Sequence, residues 1–200
     1  MITEAELPAA TSRLDPDAMI AVALEAGMVP LAEHEIPVAR KLAGDLMQHE
    51  VVSVETLLAV RAIQPAAMLV FKDEDQITGV FGQLLLRPSA IRSIFAGEFD
   101  ALNVDVDYLS HPGEVVGLGY VWGLAASTKR AGAALMLQGQ LVRGRLFPDL
   151  TIFTRAVTPA GRHIALNRYR YQPFRYPDDE LLLRLPEGVV ASREREAVAA

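Results

Sequence analysis

The spacing of hydrophobic positions is helical over the first third of the chain, from about residue 15 to residue 64. Each helical stretch opens at a capping residue or a proline, and glycine or proline marks two of the three ends. Between the first two stretches, Met28 to Ile36 predicts a first strand, although Pro30 is unfavourable inside a sheet. The three predicted helices run from Asp15 to Gly27, from Pro37 to about Gln48, and from Ser53 to just before Pro65.

The spacing changes to that of strands at Ala67. Two apolar runs, Ala67 to Phe71 and Ile77 to Leu86, flank an acidic turn at residues 73 to 75 and predict a hairpin. Pro88 to Ala96, followed by Gly97, predicts a short helix. An acidic connection from Glu98 to Glu114 follows.

Strands and helices alternate in the second half. The apolar run Val115 to Ala125 predicts a buried strand, and Ser127 and Thr128 end it. A helix from Ala131 to about Leu146 joins it to a strand at Leu150 to Thr154, so these two strands should be parallel. A helix from Pro159 to about Tyr171 and a strand from Glu180 to Leu185 complete the predicted order.

These elements predict an α+β fold in which helices flank one twisted mixed sheet. The predicted division is a flexible tail over residues 1 to 14, a single domain over residues 15 to 186, and a C-terminal tail over residues 187 to 200. The chain has 200 residues, 51% of them hydrophobic, which suffices for one substantial core.

Composition removes several classes of function. With no cysteine there is no disulfide framework and no thiolate metal site, and the four histidines lie far apart, so we expect no metal. A net charge of −6 disfavours a nucleic-acid partner. The N-terminus does not have the pattern of a signal peptide, and the apolar runs are too short for a membrane span. We therefore expect a cytoplasmic protein with no membrane partner; whether it forms a homodimer stays open.

The junction between the strand ending near Ala125 and the next helix has the character of an anion site. A helix N-terminus presents unpaired N–H groups and a positive dipole end, which together bind phosphate. Lys129 and Arg130 add positive charge, and the small residues up to Ala134 would let a pyrophosphate approach the backbone. The alternative is an ordinary strand-to-helix joint with solvated cations.

Two motifs in this part of the chain resemble those of the GNAT superfamily of acyl-CoA-dependent N-acyltransferases. Residues 129 to 134, KRAGAA, are similar to the family's pyrophosphate loop, Gln/Arg-x-x-Gly-x-Gly/Ala, with Lys in first place. Residues 165 to 174 keep the Ala, Tyr and Phe of the family's Ala-x-x-x-Tyr-x-x-x-Gly-Phe, with Pro173 replacing the glycine. The resemblance covers about residues 115 to 185.

The resemblance implies a GNAT-like fold and acetyl-CoA as the acyl donor. It implies that the central strand parts from the next strand and pairs through its backbone with the pantetheine arm. It also implies that Tyr169 is the general acid for the departing thiolate, with Tyr171 on another face. The implied cofactor-binding residues are Leu124, Ala125 and Ala126 on the strand, and Lys129, Arg130, Ala131, Gly132, Ala133 and Ala134 at the helix start.

The general base is harder to assign, because the central strand carries no carboxylate or histidine. Glu114 at its entrance is the first candidate, with His111 and Asp107 behind it; alternatively the amine arrives neutral or gives its proton to water. The acidic connection would attract a cationic amine if its side chains converge, which makes Asp105 and Asp107 candidate substrate-binding residues.

Three functions fit the sequence. The leading one is an N-acyltransferase that moves an acyl group, most simply acetyl, to a primary amine of a small molecule or protein. The second is a non-catalytic domain of the same shape that binds acyl-CoA or a protein partner. The third is a different nucleotide-binding α/β domain.

Overall fold

A computed structural model describes residues 11–174 and 182–185, and in these residues one seven-stranded mixed sheet carries helices on both faces. The strand order is β1-β2-β3-β4-β5-β7-β6, antiparallel except for the parallel pair β4 and β5. The predicted fold class is therefore confirmed. The strands are β1 (Met28–Pro30), β2 (Met68–Asp73), β3 (Gln76–Leu86), β4 (Leu118–Ala126), β5 (Ile152–Arg155), β6 (Gln172–Pro173) and β7 (Leu182–Leu185). The helices are α1 (Pro16–Glu25), α2 (Ile36–Met47), α3 (Val54–Ile63), α4 (Ala90–Ala96), α5 (Lys129–Leu141) and α6 (Pro159–His163).

The predicted N-terminal helices are present, with the predicted caps on the first and third. The Asp15 carboxylate accepts from the backbone N–H groups of Asp17 and Ala18, which the first turn of α1 leaves unpaired. Ser53 caps α3 in the same way through the N–H of Thr56. The first strand is much shorter than predicted, because the chain turns into a 3₁₀ helix at Glu33–Glu35.

The start of the described chain is part of the sheet layer, which differs from the predicted tail over residues 1 to 14. Leu14 donates its backbone N–H to the Glu114 carbonyl and is buried, and Val116 donates to the Ser12 carbonyl. Arg13 and Val115 form an antiparallel bridge. The domain thus begins before residue 15, and residues 1–10 and 187–200 of the predicted tails lie outside the described residues.

The β3–β4 pair contains a β-bulge that changes the course of β4. Gln83 lies opposite Val121 and Gly82 lies opposite Gly123, so Trp122 is the extra residue. A bulge bends its strand and increases the local twist. In the described part of the chain, β5 pairs with β4 over Gly119–Val121 and no further, so the two parallel strands part where the bulge begins.

Helix α5 packs against one face of the sheet, and α2 and α3 pack against the other. The close approach of α5 depends on Gly79, because a Cβ there would lie 2.8 Å from Leu135 Cδ1 and 3.0 Å from Ala131 Cβ. The predicted helix from Ala131 to Leu146 begins two residues earlier, at Lys129, and ends in a π-helical turn at Val142–Leu146.

The predicted helix from Pro159 to Tyr171 ends earlier than expected. α6 continues into a π-helical turn at Ile164–Arg168, and the backbone leaves the helix at Tyr169. Arg170 has a φ of +62°, a left-handed conformation that ends the helical path. Tyr171 is buried beyond that point, where the chain approaches β6.

Candidate functional site

The parting of β4 from β5 leaves one edge of β4 without a β5 partner from Trp122 to Ala126. The other edge of the same segment pairs with β3 as far as Ala126 and Gly79. Backbone N–H and C=O groups that lack a partner strand can pair with an extended ligand. The predicted segment Leu124, Ala125 and Ala126 therefore lies on this edge.

The first turn of α5 follows this edge directly. Thr128 is the N-cap: its hydroxyl accepts from the Ala131 N–H at 3.1 Å, and its carbonyl accepts from the Gly132 N–H at 3.0 Å. In the described chain no hydrogen bond is made by the backbone N–H groups of Lys129 and Arg130. The predicted approach of a pyrophosphate to the backbone at the helix start stays sterically open, but the N–H groups of Ala131 and Gly132 are already paired within the first turn of α5. The available donors shift to Lys129 and Arg130.

Arg130 is held beside the turn of the β2–β3 hairpin. Its Nη1 lies 3.0 Å from Asp73 Oδ1, and its guanidinium carbon lies 5.5 Å from the centre of the Phe71 ring. Both members of the ion pair are substantially exposed, so the pair contributes little to stability. Lys129, the first residue of α5, is exposed and is not part of this ion pair.

Tyr169 lies on the same face of the sheet as α5, in the hydrophobic cluster that covers Val121, the last residue of β4 that pairs with β5. It packs with Val121 against the buried Ile152 and Ala165. Its hydroxyl donates to the Met136 carbonyl at 3.2 Å. Burial raises the pKa of the Tyr169 phenol above its ordinary value, so the group is protonated at neutral pH and can act as a proton donor.

A cleft of about 290 Å³ opens on the opposite face of the sheet, beside the bulge. Its walls come from α2, the connection from α2 to α3, β4 and the segment after β5. His49 donates from Nε2 to the Val157 carbonyl at 3.2 Å and so joins two of these walls. The Trp122 indole N–H donates to the Ala101 carbonyl at 2.6 Å and fixes the segment at residues 100–102 that forms a third side.

Two of the cleft's charged side chains have structural tasks. Arg40 donates to the carbonyls of Val52 and Val51, at 2.8 and 3.3 Å, and holds the connection after α2. Asp100 accepts from the N–H of Leu102 and from the side chain of Asn103. The hydrogen bond from Asn103 is the main reason that the pKa of Asp100 is lowered, and Arg155 adds to the effect.

Glu50 and His49 also line this cleft, and sequence reasoning missed both as site residues. No periodicity or motif distinguishes them, because they lie in the irregular connection after α2. Only the fold brings this connection next to β4.

The predicted base and acceptor residues lie elsewhere. Glu114 forms a two-pronged ion pair with Arg87, at 2.8 and 2.9 Å, before β4 begins. At about 3.3 Å per residue, the strand from Leu118 to Leu124 alone spans about 20 Å. Glu114 therefore lies at the far end of β4 from the site, and its assignment as base is corrected on this ground.

Asp105 and Asp107 also lie away from the cleft beside the bulge. Asp105 caps a short 3₁₀ turn by accepting from the Asp107 N–H, and the Asp107 carbonyl accepts from Arg87. Of the acidic residues in the connection, Asp100 reaches the cleft in the described structure, whereas Asp105 and Asp107 do not line it. His111 likewise contacts Glu114, to which it donates its backbone N–H.

An antiparallel β2–β3–β4 unit, a parallel β5 reached through α5, and a strand pair that parts at the bulge match the arrangement that the sequence motifs imply. The fold is GNAT-like. Two solved structures align with 80% of this chain at 16% identity. One is the Naa20 of Chaetomium thermophilum in complex with a bisubstrate analogue, covered over 86% of its length with a TM-score of 0.47. The other, from Corynebacterium glutamicum, is described as histone acetyltransferase HPA2 and related acetyltransferase, covered over 95% with a TM-score of 0.43.

No family profile matches this sequence, and no curated protein matches it. Within the described residues, no group of three or more His, Cys, Asp or Glu side chains is arranged to hold a metal ion. Among the helices described, none combines the length and the apolar character needed to cross a membrane.

Proposed function

We propose that this protein is an acyl-CoA-dependent N-acyltransferase that moves an acyl group, most simply acetyl, to a primary amine. The observation that carries the proposal is the parting of β4 from β5 at Trp122, directly upstream of the α5 N-terminus. The chain thereby presents a strand edge with unpaired backbone groups, followed directly by a helix N-terminus with unpaired N–H groups. This order suits a ligand with amides at one end and phosphates at the other.

The residues at this junction fit such a ligand. The open edge of β4 at Leu124 to Ala126 can pair with the amides of a pantetheine arm, which need partners once buried. The N–H groups of Lys129 and Arg130, with the Lys129 ammonium, can hold the phosphates. Gly132 has no side chain to obstruct that approach: a Cβ there would reach no heavy atom nearer than Ala126 Cβ at 3.9 Å.

The chemistry requires a neutral amine and a proton for the leaving thiolate. The amine nitrogen attacks the thioester carbon, the C–N bond forms and the C–S bond breaks, and the nitrogen then loses a second proton, which balances the proton taken up by the thiolate. Tyr169 is the proposed donor of the proton that the thiolate takes up. Deprotonating an alkylammonium with a pKa of about 10.4 costs roughly 4 to 5 kcal/mol at neutral pH, so a group in the cleft or a water molecule must accept that proton.

Thiol release tests the proposal directly. Purified protein is mixed with acetyl-CoA and a panel of primary amines, and free CoA thiol is measured together with the acylated amine. We expect thiol release that depends on both substrates, and a rise in melting temperature with CoA alone. Stabilisation by CoA without thiol release would instead support the non-catalytic alternative.

The third function has its own outcome in the same experiment. Stabilisation by a nucleotide such as ATP, with no added effect of the pantetheine arm of CoA, would identify a different nucleotide-binding domain. No change in melting temperature with acetyl-CoA and no thiol release would overturn the transferase proposal.

A further inference from the structure

We infer that the cleft beside the bulge binds the amine substrate, and that this substrate is a monoamine on a small apolar body, such as an arylalkyl or alkyl amine. This inference rests on the proposed function, since it names the acceptor of that reaction. It is carried by the composition of the cleft and by the bonding of its charged side chains.

The inner wall of the cleft is apolar. On the sheet it includes Met68, Val80 and Trp122, and on α2 it includes Ala39 and Ala43. The two alanines leave space where longer side chains would fill it. These apolar side chains offer an alkyl chain or an aromatic ring a place out of water, and they offer no hydrogen-bond partner to a string of hydroxyl or amide groups.

The charges at the rim fit a single ammonium group. Arg40 and Asp100 are bonded to their own loops, and Arg155, the other arginine of the lining, interacts with the Asp100 carboxylate. Glu50 is exposed at the rim, and within residues 11–174 and 182–185 its carboxylate makes no hydrogen bond or ion pair. One uncommitted carboxylate beside an apolar wall is complementary to one cation on an apolar body.

The same arrangement argues against other amines. A polyamine would need several carboxylates and would lose hydration of its inner ammonium groups against Met68 and Val80. A volume of about 290 Å³ lies at the small end of ligand sites, and the lining shares Leu124 and Ala125 with the edge proposed for the pantetheine arm. The space left for the amine therefore suits one ring or a short chain.

Binding can be measured without turnover, because Trp122 is the chain's single tryptophan and lines the cleft. We expect 2-phenylethylamine and hexylamine to change its fluorescence saturably, and spermidine and ethanolamine to do so at least about tenfold more weakly. In thiol-release assays with acetyl-CoA, the same order should hold for kcat/KM. Equal or reversed preferences in both measurements would overturn the inference.

Two variants with matched controls locate the binding. Ala43→Leu should weaken binding of phenylethylamine at least about fivefold by filling the cleft, with the KM for acetyl-CoA unchanged. Ala59→Leu, at an exposed position of α3 outside the cleft, should leave amine binding unchanged. Glu50→Gln should raise the KM for the amine about three- to tenfold, and Glu55→Gln, outside the cleft, should not.

The outcomes separate this inference from the proposed function. Thiol release with polar amines but not with apolar ones would overturn the inference and leave the transferase in place. Saturable binding of apolar amines, lost in Ala43→Leu, would support the inference even if no amine released thiol. Unchanged amine binding in both Ala43→Leu and Glu50→Gln would overturn it.

Discussion

The phenolic hydroxyl of Tyr169 donates to the backbone carbonyl of Met136, 33 residues earlier, at 3.2 Å. This bond joins the end of the α6 segment to the middle of α5, across the cluster that covers the last residues shared by β4 and β5. The phenol is thereby held beside the point where the two strands part. Its raised pKa keeps the phenol protonated at neutral pH.

Tyr169→Phe is expected to reduce thiol release from acetyl-CoA at least about tenfold in kcat, because the proposed proton donor is removed. The lost hydrogen bond to Met136 should cost only about 1 kcal/mol of unfolding free energy, so the variant should fold. Steady-state thiol release and thermal melting measure the two effects. Tyr171→Phe is the control, as it removes a buried phenol two residues away. Equal rate losses in the two variants would argue that Tyr169 acts only through packing.

Gly132→Ala tests the proposed phosphate position. The added methyl group would meet Ala126 Cβ at an ordinary 3.9 Å, and alanine favours a helix over glycine, so the free protein should become more stable by about 0.5 kcal/mol. CoA bound at the helix start would meet the methyl group, and its Kd should rise at least about fivefold. Thermal melting and CoA titration should therefore move in opposite directions.

Gly144→Ala is the matched control for that variant, since a Cβ at Gly144 would have no heavy atom within 4 Å. It lies in the π-helical turn after α5, away from the helix start. Its CoA affinity should equal that of the unaltered protein. An unchanged Kd in Gly132→Ala would contradict a phosphate site at this turn.

Local signals predict the scaffold well but not the cleft. Asp15, Gly27 and Ser53 mark helix ends because capping depends on neighbouring backbone groups, and the hairpin follows from alternation with a short turn. The parallel β4–β5 pair follows from the joining helix. These features need only short stretches of sequence.

The cleft depends on contacts between distant segments. His49 meets Val157 across 108 residues, and Trp122 meets Ala101 across 21. Nothing in the sequence of residues 98 to 114 indicates that Glu114 pairs with Arg87 whereas Asp100 reaches the cleft. The condition that the acidic residues converge on one site is not met by Asp105, Asp107 and Glu114, for this reason.

Glu114→Gln tests the correction of the general base. Glu114 is far from the proposed reaction centre, so kcat should stay within about twofold of the unaltered protein. The bond from Arg87, aided by the His111 N–H, lowers the pKa of Glu114 to about 2 from 4.5. A lowered pKa means that the ion pair stabilises the fold above about pH 4.5 and that this contribution is lost as the pH falls toward 2.

The melting temperature of Glu114→Gln should accordingly be lower than that of the unaltered protein at pH 6, and the difference should shrink between pH 4.5 and pH 2. Melting curves at several pH values in this range measure the effect. A large loss of kcat without a change in melting temperature would contradict the correction and would show that Glu114 takes part in catalysis.

Gly79→Ala tests whether the close approach of α5 to the sheet positions the helix start. The new Cβ would lie 2.8 Å from Leu135 Cδ1 and 3.0 Å from Ala131 Cβ, so the Leu135 side chain must move and Ala131, with α5, must give by a few tenths of an ångström. We expect a loss of about 1 to 3 kcal/mol of unfolding free energy, together with weaker CoA binding.

Leu135→Ala removes one of the two clashing groups and by itself should cost about 2 to 5 kcal/mol of unfolding free energy through the cavity it leaves. In the double variant the smaller side chain at position 135 makes room for the new methyl group. The loss of unfolding free energy in the double variant should therefore be smaller than the sum of the losses in the two single variants, as denaturant unfolding would measure. Strict additivity would show that Gly79 and Leu135 do not constrain each other, and that the position of α5 has another cause.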